Sequence, residues 1–241
     1  MASTSEVGHA KNVANFYNII SFAQGYGTNY NPSKDSLKIP QLQALHAQAD
    51  TGINTVQDQK TLYDSVVNNR VQKFEDIKGL STRLLNALAS TNASEQTIED
   101  AKSYNRKIQG KRASKIEESA DPNQESPKTY STSQQSYDQL AQHFGGLISV
   151  LENEPSYNPN EAELQIANLK TKLQDLKSSN TSVADSHTVI SNARIARNKV
   201  LYDPENGLVD IAADVKKYVK SVYGVSSSEY QQISALKFLA R

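Results

Sequence analysis

Part of this chain is written twice. Tyr30-Asn31-Pro32 returns as Tyr157-Asn158-Pro159, and at the same offset Leu37 matches Leu164, Ile39 matches Ile166, Leu42 matches Leu169, Val56 matches Val183, Arg70 matches Arg197 and Asp76 matches Asp203. Short gaps then bring Gly79-Leu80 onto Gly207-Leu208, and Ile98 and Lys102 onto Ile233 and Lys237. Upstream, Phe16, Ile20 and Ser21 match Phe144, Ile148 and Ser149. A unit of about half the chain therefore occurs in two copies, and any fold for the sequence has to supply the same local structure twice.

The period inside each copy is helical. In the second, Ile166, Leu169, Leu173, Leu176, Asn180, Val183, His187, Ile190, Arg194, Arg197 and Leu201 follow a strict three–four alternation with no Gly or Pro. The corresponding positions of the first are Ile39, Leu42, His46, Ala49, Ile53, Val56, Lys60, Tyr63, Val67, Arg70 and Phe74, with Pro40 near the start and Gly52 inside. Each copy thus predicts one helix of about 40 residues, about 60 Å long, with a seam packed against other helices. Asn31-Pro32 and Asn158-Pro159 read as N-cap and first helical residue, with Glu161 completing a capping arrangement. Asp203-Pro204 and Gly207-Leu208 open a further apolar helix, as does the run Leu80, Leu84, Leu85, Leu88. Breaks at Thr91-Asn92 and Gly224 precede last helices capped by Ser94 and Ser228.

The expectation is an all-α, elongated bundle of two homologous repeats. A flexible N-terminus (1–11) is followed by helical repeat 1 (12–118), a Ser-, Gln- and Pro-bearing linker (119–136) and helical repeat 2 (137–241), the repeats packing together as one bundle.

Composition removes several function classes. The chain of 241 residues has no Cys, so disulfides, thiolate metal sites and cysteine nucleophiles are excluded together. Lys plus Arg and Asp plus Glu balance at 26 each, so no overall field steers it toward nucleic acid or anionic lipid. No secretory leader and no apolar run of membrane-spanning length is visible, which gives a cytoplasmic expectation. A di-iron bundle needs Glu-x-x-His, but Gln43, Leu140 and Ala184 stand three residues before His46, His143 and His187. There is no Gly-x-Ser-x-Gly elbow and no phosphate loop. The reading is a non-enzymatic chain without cofactor or metal.

Three groups of residues invite a functional reading. Arg70 and Arg197 share a seam position, as do Lys60 and His187; charge at a core position fixes register, or else lines a ligand or partner seam between the repeats. Lys102, Arg106, Lys107, Lys111, Arg112 and Lys115 form a basic patch of the kind nucleic acid requires, although the charges spread round the helix and gather near its C-terminus, where cations are favoured anyway. Phe144, Leu147, Ile148 and Leu151, with Gly145-Gly146 among them, read as a core helix with glycine at a close crossing, or alternatively as a membrane segment.

Tyr157 to Leu164, Ser191 to Asn198 and Gly207 to Ala212 resemble a family of uncharacterised helical proteins of Bacteroidota. The resemblance implies a bacterial, duplicated helical protein and transfers no functional residue. Together these features predict an interaction or scaffolding protein that works through exposed helix faces or self-association with a protein partner. Nucleic acid is disfavoured as a partner. The alternatives are a membrane-active helical protein of the pore-forming type and a small-ligand binder at the seam.

Overall fold

The computed structural model describes residues 8–111 and 135–239. These residues form eight α-helices and no strand: α1 (His9–Gly25), α2 (Ile39–Phe74), α3 (Ile77–Ala89), α4 (Glu95–Gln109), α5 (Tyr137–Glu152), α6 (Ile166–Tyr202), α7 (Leu208–Tyr223) and α8 (Ser228–Ser234). The two heptad segments are single helices of 36 and 37 residues. Residues 119–134 of the expected linker, residues 112–118 at the end of the expected first repeat with Arg112 and Lys115 of the basic patch, and residues 1–7 of the N-terminal segment lie outside the described residues.

The long helices start later than Asn-Pro capping predicts. After Tyr30-Asn31-Pro32 the chain makes a 3₁₀ turn at Asp35–Leu37 before α2, and after Tyr157-Asn158-Pro159 it makes one at Ala162–Leu164 before α6. The cause is tertiary. The buried Tyr30 hydroxyl donates to the Leu37 carbonyl at 2.8 Å, and the Tyr157 hydroxyl donates to that of Leu164 at 2.9 Å, closing a loop that turns Leu37 and Leu164 into the core. Glu161 precedes the 3₁₀ turn and makes no side-chain cap. Pro40 falls in the first turn of α2, where its missing N–H breaks no helical bond. Two smaller corrections concern the ends. His9 to Lys11, expected in a flexible tail, open α1, and the cap of α8 is Ser227, whose hydroxyl accepts from the Tyr230 N–H at 3.1 Å, rather than Ser228. Ser94 caps α4 by accepting from Thr97 N–H.

The chain divides into two compact units. Unit 1 comprises the residues up to Tyr63 together with those from Ser186 onward; unit 2 is Asp64–Asp185. Both boundaries fall inside a long helix, so unit 1 joins the beginning of the first sequence copy to the end of the second. The core of unit 1 is built from Phe16, Ile19 and Ile20 of α1, Leu42 and Ala49 of α2, Leu201 of α6, Leu208, Ile211, Val215 and Val219 of α7, and Ile233 of α8. That of unit 2 gathers Phe74, Ile77, Leu84 and Leu88, Ala101 and Ile108 of α4, Phe144, Leu147 and Leu151 of α5, and Leu169 and Leu176 of α6. Within unit 2, α4 lies so close on α5 that a Cβ on Gly146 would stand 2.2 Å from the Tyr104 ring.

The heptad seam is not buried along its whole length. Leu42, Ala49, Phe74, Leu169, Leu176, Val183, Ile190 and Leu201 are enclosed, but Lys60, His187 and Arg194 are exposed, and no α2 residue from Ile53 to Arg70 is fully buried. Leu42, Ala49 and Leu201, and likewise Phe74, Leu169 and Leu176, lie in the two core clusters, where shorter helices add their own apolar faces, whereas Val183 and Ile190 are enclosed outside both clusters. Elsewhere the seam is a two-helix contact, such as the Tyr63 ring against His187 in unit 1 with centroids 5.9 Å apart.

Candidate functional site

In unit 1, α2 and α6 approach closely at Gly52, where an added Cβ would lie 3.5 Å from the Arg197 Cα. Beside this approach runs an open groove of about 490 Å³, lined by Ala47, Thr51, Gly52 and Thr55 of α2 and by Ala193, Ala196, Arg197 and Val200 of α6, among others. Its character follows from helical spacing. Val189, Ala193, Ala196 and Val200 recur at intervals of four, three and four, so they form one stripe on α6. Thr55 turns its hydroxyl back to the Thr51 carbonyl at 2.8 Å, so its methyl is left for the groove wall. Arg197 folds along its own helix and donates to Asn198 Oδ1 from Nε at 3.1 Å and from a terminal nitrogen at 2.8 Å. Beyond the groove, Val189 is 48% exposed, Leu62 55% and Ile195 64%. The arrangement offers a largely apolar surface with a guanidinium at its edge, which suits a helix or apolar chain better than a polar metabolite.

Arg70 lies in unit 2. Its guanidinium stacks over Tyr137 at 4.2 Å from the ring centroid, Tyr137 in turn meets Phe74 edge-on at 4.8 Å, and the buried Arg70 Nε has no hydrogen-bond partner. Arg70 and Arg197 thus belong to different units and have different surroundings. Lys60 and His187 are both exposed on unit 1, His187 against Tyr63.

Phe144, Leu147, Ile148 and Leu151 are all within the core of unit 2, none more than 2% exposed. Among the described residues no helix is long and apolar enough to cross a membrane. Of the basic segment, Lys102 pairs with Glu99 at 2.5 Å, Lys107 lies over the Tyr104 ring, and Arg106 and Lys107 occupy the last turn of α4 ahead of Gly110, which ends the helix in the left-handed region; Lys111 follows, exposed.

The titrating groups that depart from ordinary behaviour do so for local reasons. Burial, and then the Lys107 ammonium, hold the His143 imidazole below its usual range; its Nε2 is enclosed without a hydrogen-bond partner. Burial pushes the Tyr157 hydroxyl up to about 12, with Glu161 adding to the effect. Hydrogen bonds from Lys34 and then Lys217 hold Asp214 low. Among the described residues no group of three or more His, Asp or Glu could hold a metal ion.

One constellation has no counterpart in the sequence reading. The segment Leu236–Leu239 leaves α8 without regular structure and lies against α1 and α7. Asn12 Nδ2 donates to the Leu239 carbonyl and the Leu239 N–H donates to Asn12 Oδ1, both at 3.0 Å. Asn15 Nδ2 donates to the Lys237 carbonyl at 2.7 Å, and Lys216 Nζ donates to that of Leu236. Asn12 and Asn15 are 1% and 6% exposed. The available signal was two amides three residues apart among Val13, Phe16, Ile19 and Ile20, on the buried side of α1.

These features define an all-α protein of two helical units. Comparison with protein-family models, with curated proteins and with solved structures finds no match.

Proposed function

We propose that the chain is a non-enzymatic interaction protein, built by duplication of a helical unit, which presents the α2–α6 face of unit 1 to a partner helix or to a second copy of itself. The apolar groove between Thr51–Thr55 and Ala193–Val200 carries this reading, supported by exposed Val189 and Leu62. Small side chains let another backbone approach closely, and large exposed apolar groups at its margin gain most from being covered. The membrane-active alternative draws no support from Phe144 to Leu151, because exposing that stretch requires taking the unit 2 core apart.

The test is sedimentation velocity over a wide concentration range, joined to photo-crosslinking from a reactive group placed at Thr51. Association that is abolished by Ala196→Glu while the helical circular dichroism is kept supports the reading. A chain that stays monomeric, gives no partner-specific crosslink and instead releases dye from anionic vesicles overturns it.

A further inference from the structure

The segment Leu236–Leu239 sits on unit 1 as a bound peptide would. Its side chains alternate, with Leu236 and Phe238 turned into the core cluster and Lys237 and Leu239 exposed, which is the two-residue period of an extended strand. Its main chain is gripped from both sides. The Lys237 carbonyl and both polar groups of Leu239 go to Asn15 and Asn12 on α1, while the Leu236 carbonyl goes to Lys216 on α7. Lys216 Nζ also lies 5.2 Å from the centre of the Phe238 ring. An amide side chain is the natural reader of a peptide bond, because it alone offers a donor and an acceptor at the spacing of a backbone N–H and C=O.

Nothing in the local sequence makes this segment extended. Ser234-Ala235-Leu236-Lys237-Phe238-Leu239 contains neither Gly nor Pro, and Ala235 still has helical dihedrals. Lys102, which aligns with Lys237 in the sequence repeat, lies inside the 15-residue helix α4. The extended form is imposed by the groove. An emptied groove would leave Asn12, Asn15 and the half-buried Lys216 without these partners, and unpaired buried polar groups are costly, so the groove calls for a main chain to fill it.

We propose that the groove between α1 and α7 is a binding site for an extended peptide of a partner protein, aliphatic at one inward position and aromatic two residues later, and that Leu236–Leu239 occupies it in competition with that partner. The site reads main chain through Asn12, Asn15 and Lys216, and reads sequence through the pockets now holding Leu236 and Phe238. This deepens the reading of the chain as an interaction protein but uses a different surface. Its failure leaves the α2–α6 face untouched, because Ala196→Glu does not alter this groove.

The experiment measures binding of a fluorescent synthetic peptide covering residues 232–241 to the full chain by anisotropy. The resident segment lowers the apparent affinity of the unaltered chain by the fraction of time the groove is free. Phe238→Ala loosens the segment from its pocket. Leu239→Pro removes the N–H that Asn12 accepts without touching the core, and guards against a folding defect in the first variant. Each is expected to raise peptide affinity about tenfold or more, and adding Asn12→Ala to either should abolish the gain. A peptide with Phe238→Asp should not bind. No gain in either variant when both retain helical circular dichroism, or a gain indifferent to Asn12, overturns the proposal and leaves the segment as a fixed part of the fold.

Discussion

Asn12 and Leu239 exchange two hydrogen bonds of 3.0 Å, one in each direction, so a buried side-chain amide on α1 pairs with an exposed residue's main chain as one peptide strand pairs with another. Asn12→Ala removes both bonds and leaves water to reach only part of what they satisfied. The expected loss is about 1–3 kcal/mol, read from urea unfolding. The Leu239 amide should exchange with solvent much faster in the variant; unchanged exchange would mean that Asn12 does not hold the segment.

Gly146 and Gly145 should respond very differently to the same substitution. A Cβ on Gly146 would stand 2.2 Å from the Tyr104 ring, which is backed by the α4–α5 packing, whereas one on Gly145 would stand 3.3 Å from a Leu173 methyl that can rotate aside. Gly146→Ala is expected to destabilise by about 1–3 kcal/mol through overpacking. Gly145→Ala should be near neutral, because the helix propensity gained, about 1 kcal/mol, offsets a small displacement. Thermal unfolding of the two variants side by side decides the matter, and Tyr104→Ala should relieve the first defect.

His143 gives unit 2 a pH dependence whose sign is fixed. Its folded imidazole is held below the ordinary value, near 6.5 in an unfolded chain, by burial and by Lys107. Above that value both states carry a neutral ring and no difference arises. As pH falls through it, the unfolded chain takes up a proton that the folded one resists, so stability declines. His143→Leu should therefore show a smaller drop in unfolding midpoint between pH 8 and pH 5.5 than the unaltered chain. An equal drop would place the acid sensitivity elsewhere.

Arg70 and Tyr137 form a stacked pair rather than an ion pair. A double-mutant cycle with Arg70→Met and Tyr137→Leu should return a coupling of about 0.5–2 kcal/mol, with the helical circular dichroism of Arg70→Met intact. Coupling near zero would leave the arginine with no structural partner at the ring and would revive an anion-binding role for it.

The parts of the fold that were legible in sequence are those set by period and local punctuation. The uninterrupted run from Ile166 to Leu201 could only be a long helix, and Ser94 and Gly224 mark a helix start and a helix end where the structure has them. Elsewhere distant contacts override local rules. Asn31 and Asn158 look like caps, but the tyrosines before them tie down carbonyls seven residues on and delay the helix. The evenly spaced seam suggested uniform burial, yet Val183 and Ile190 are enclosed while Val56, Tyr63 and Val67 are only partly so, a difference that spacing does not encode. The candidate sites were legible only as residue types. Nothing in Arg70 or Arg197 told that one would rest on an aromatic ring and the other beside a glycine. Asn12 and Asn15 stand in the sequence only as two amides on an apolar helix face, because their partner is main chain, which every sequence supplies.

The boundaries that fall within α2 and α6 bear on the order in which a ribosome can release finished structure. Unit 2 is one uninterrupted stretch, Asp64–Asp185, and all of its residues precede α7 and α8. Unit 1 is assembled from both ends of the given sequence, so α1 and the first turns of α2 emerge early with their apolar faces bare and wait for Leu201, Leu208 and Val215. During that interval the nascent chain carries Phe16, Ile19 and Ile20 without their core partners, the kind of transiently exposed apolar surface that chaperones cover.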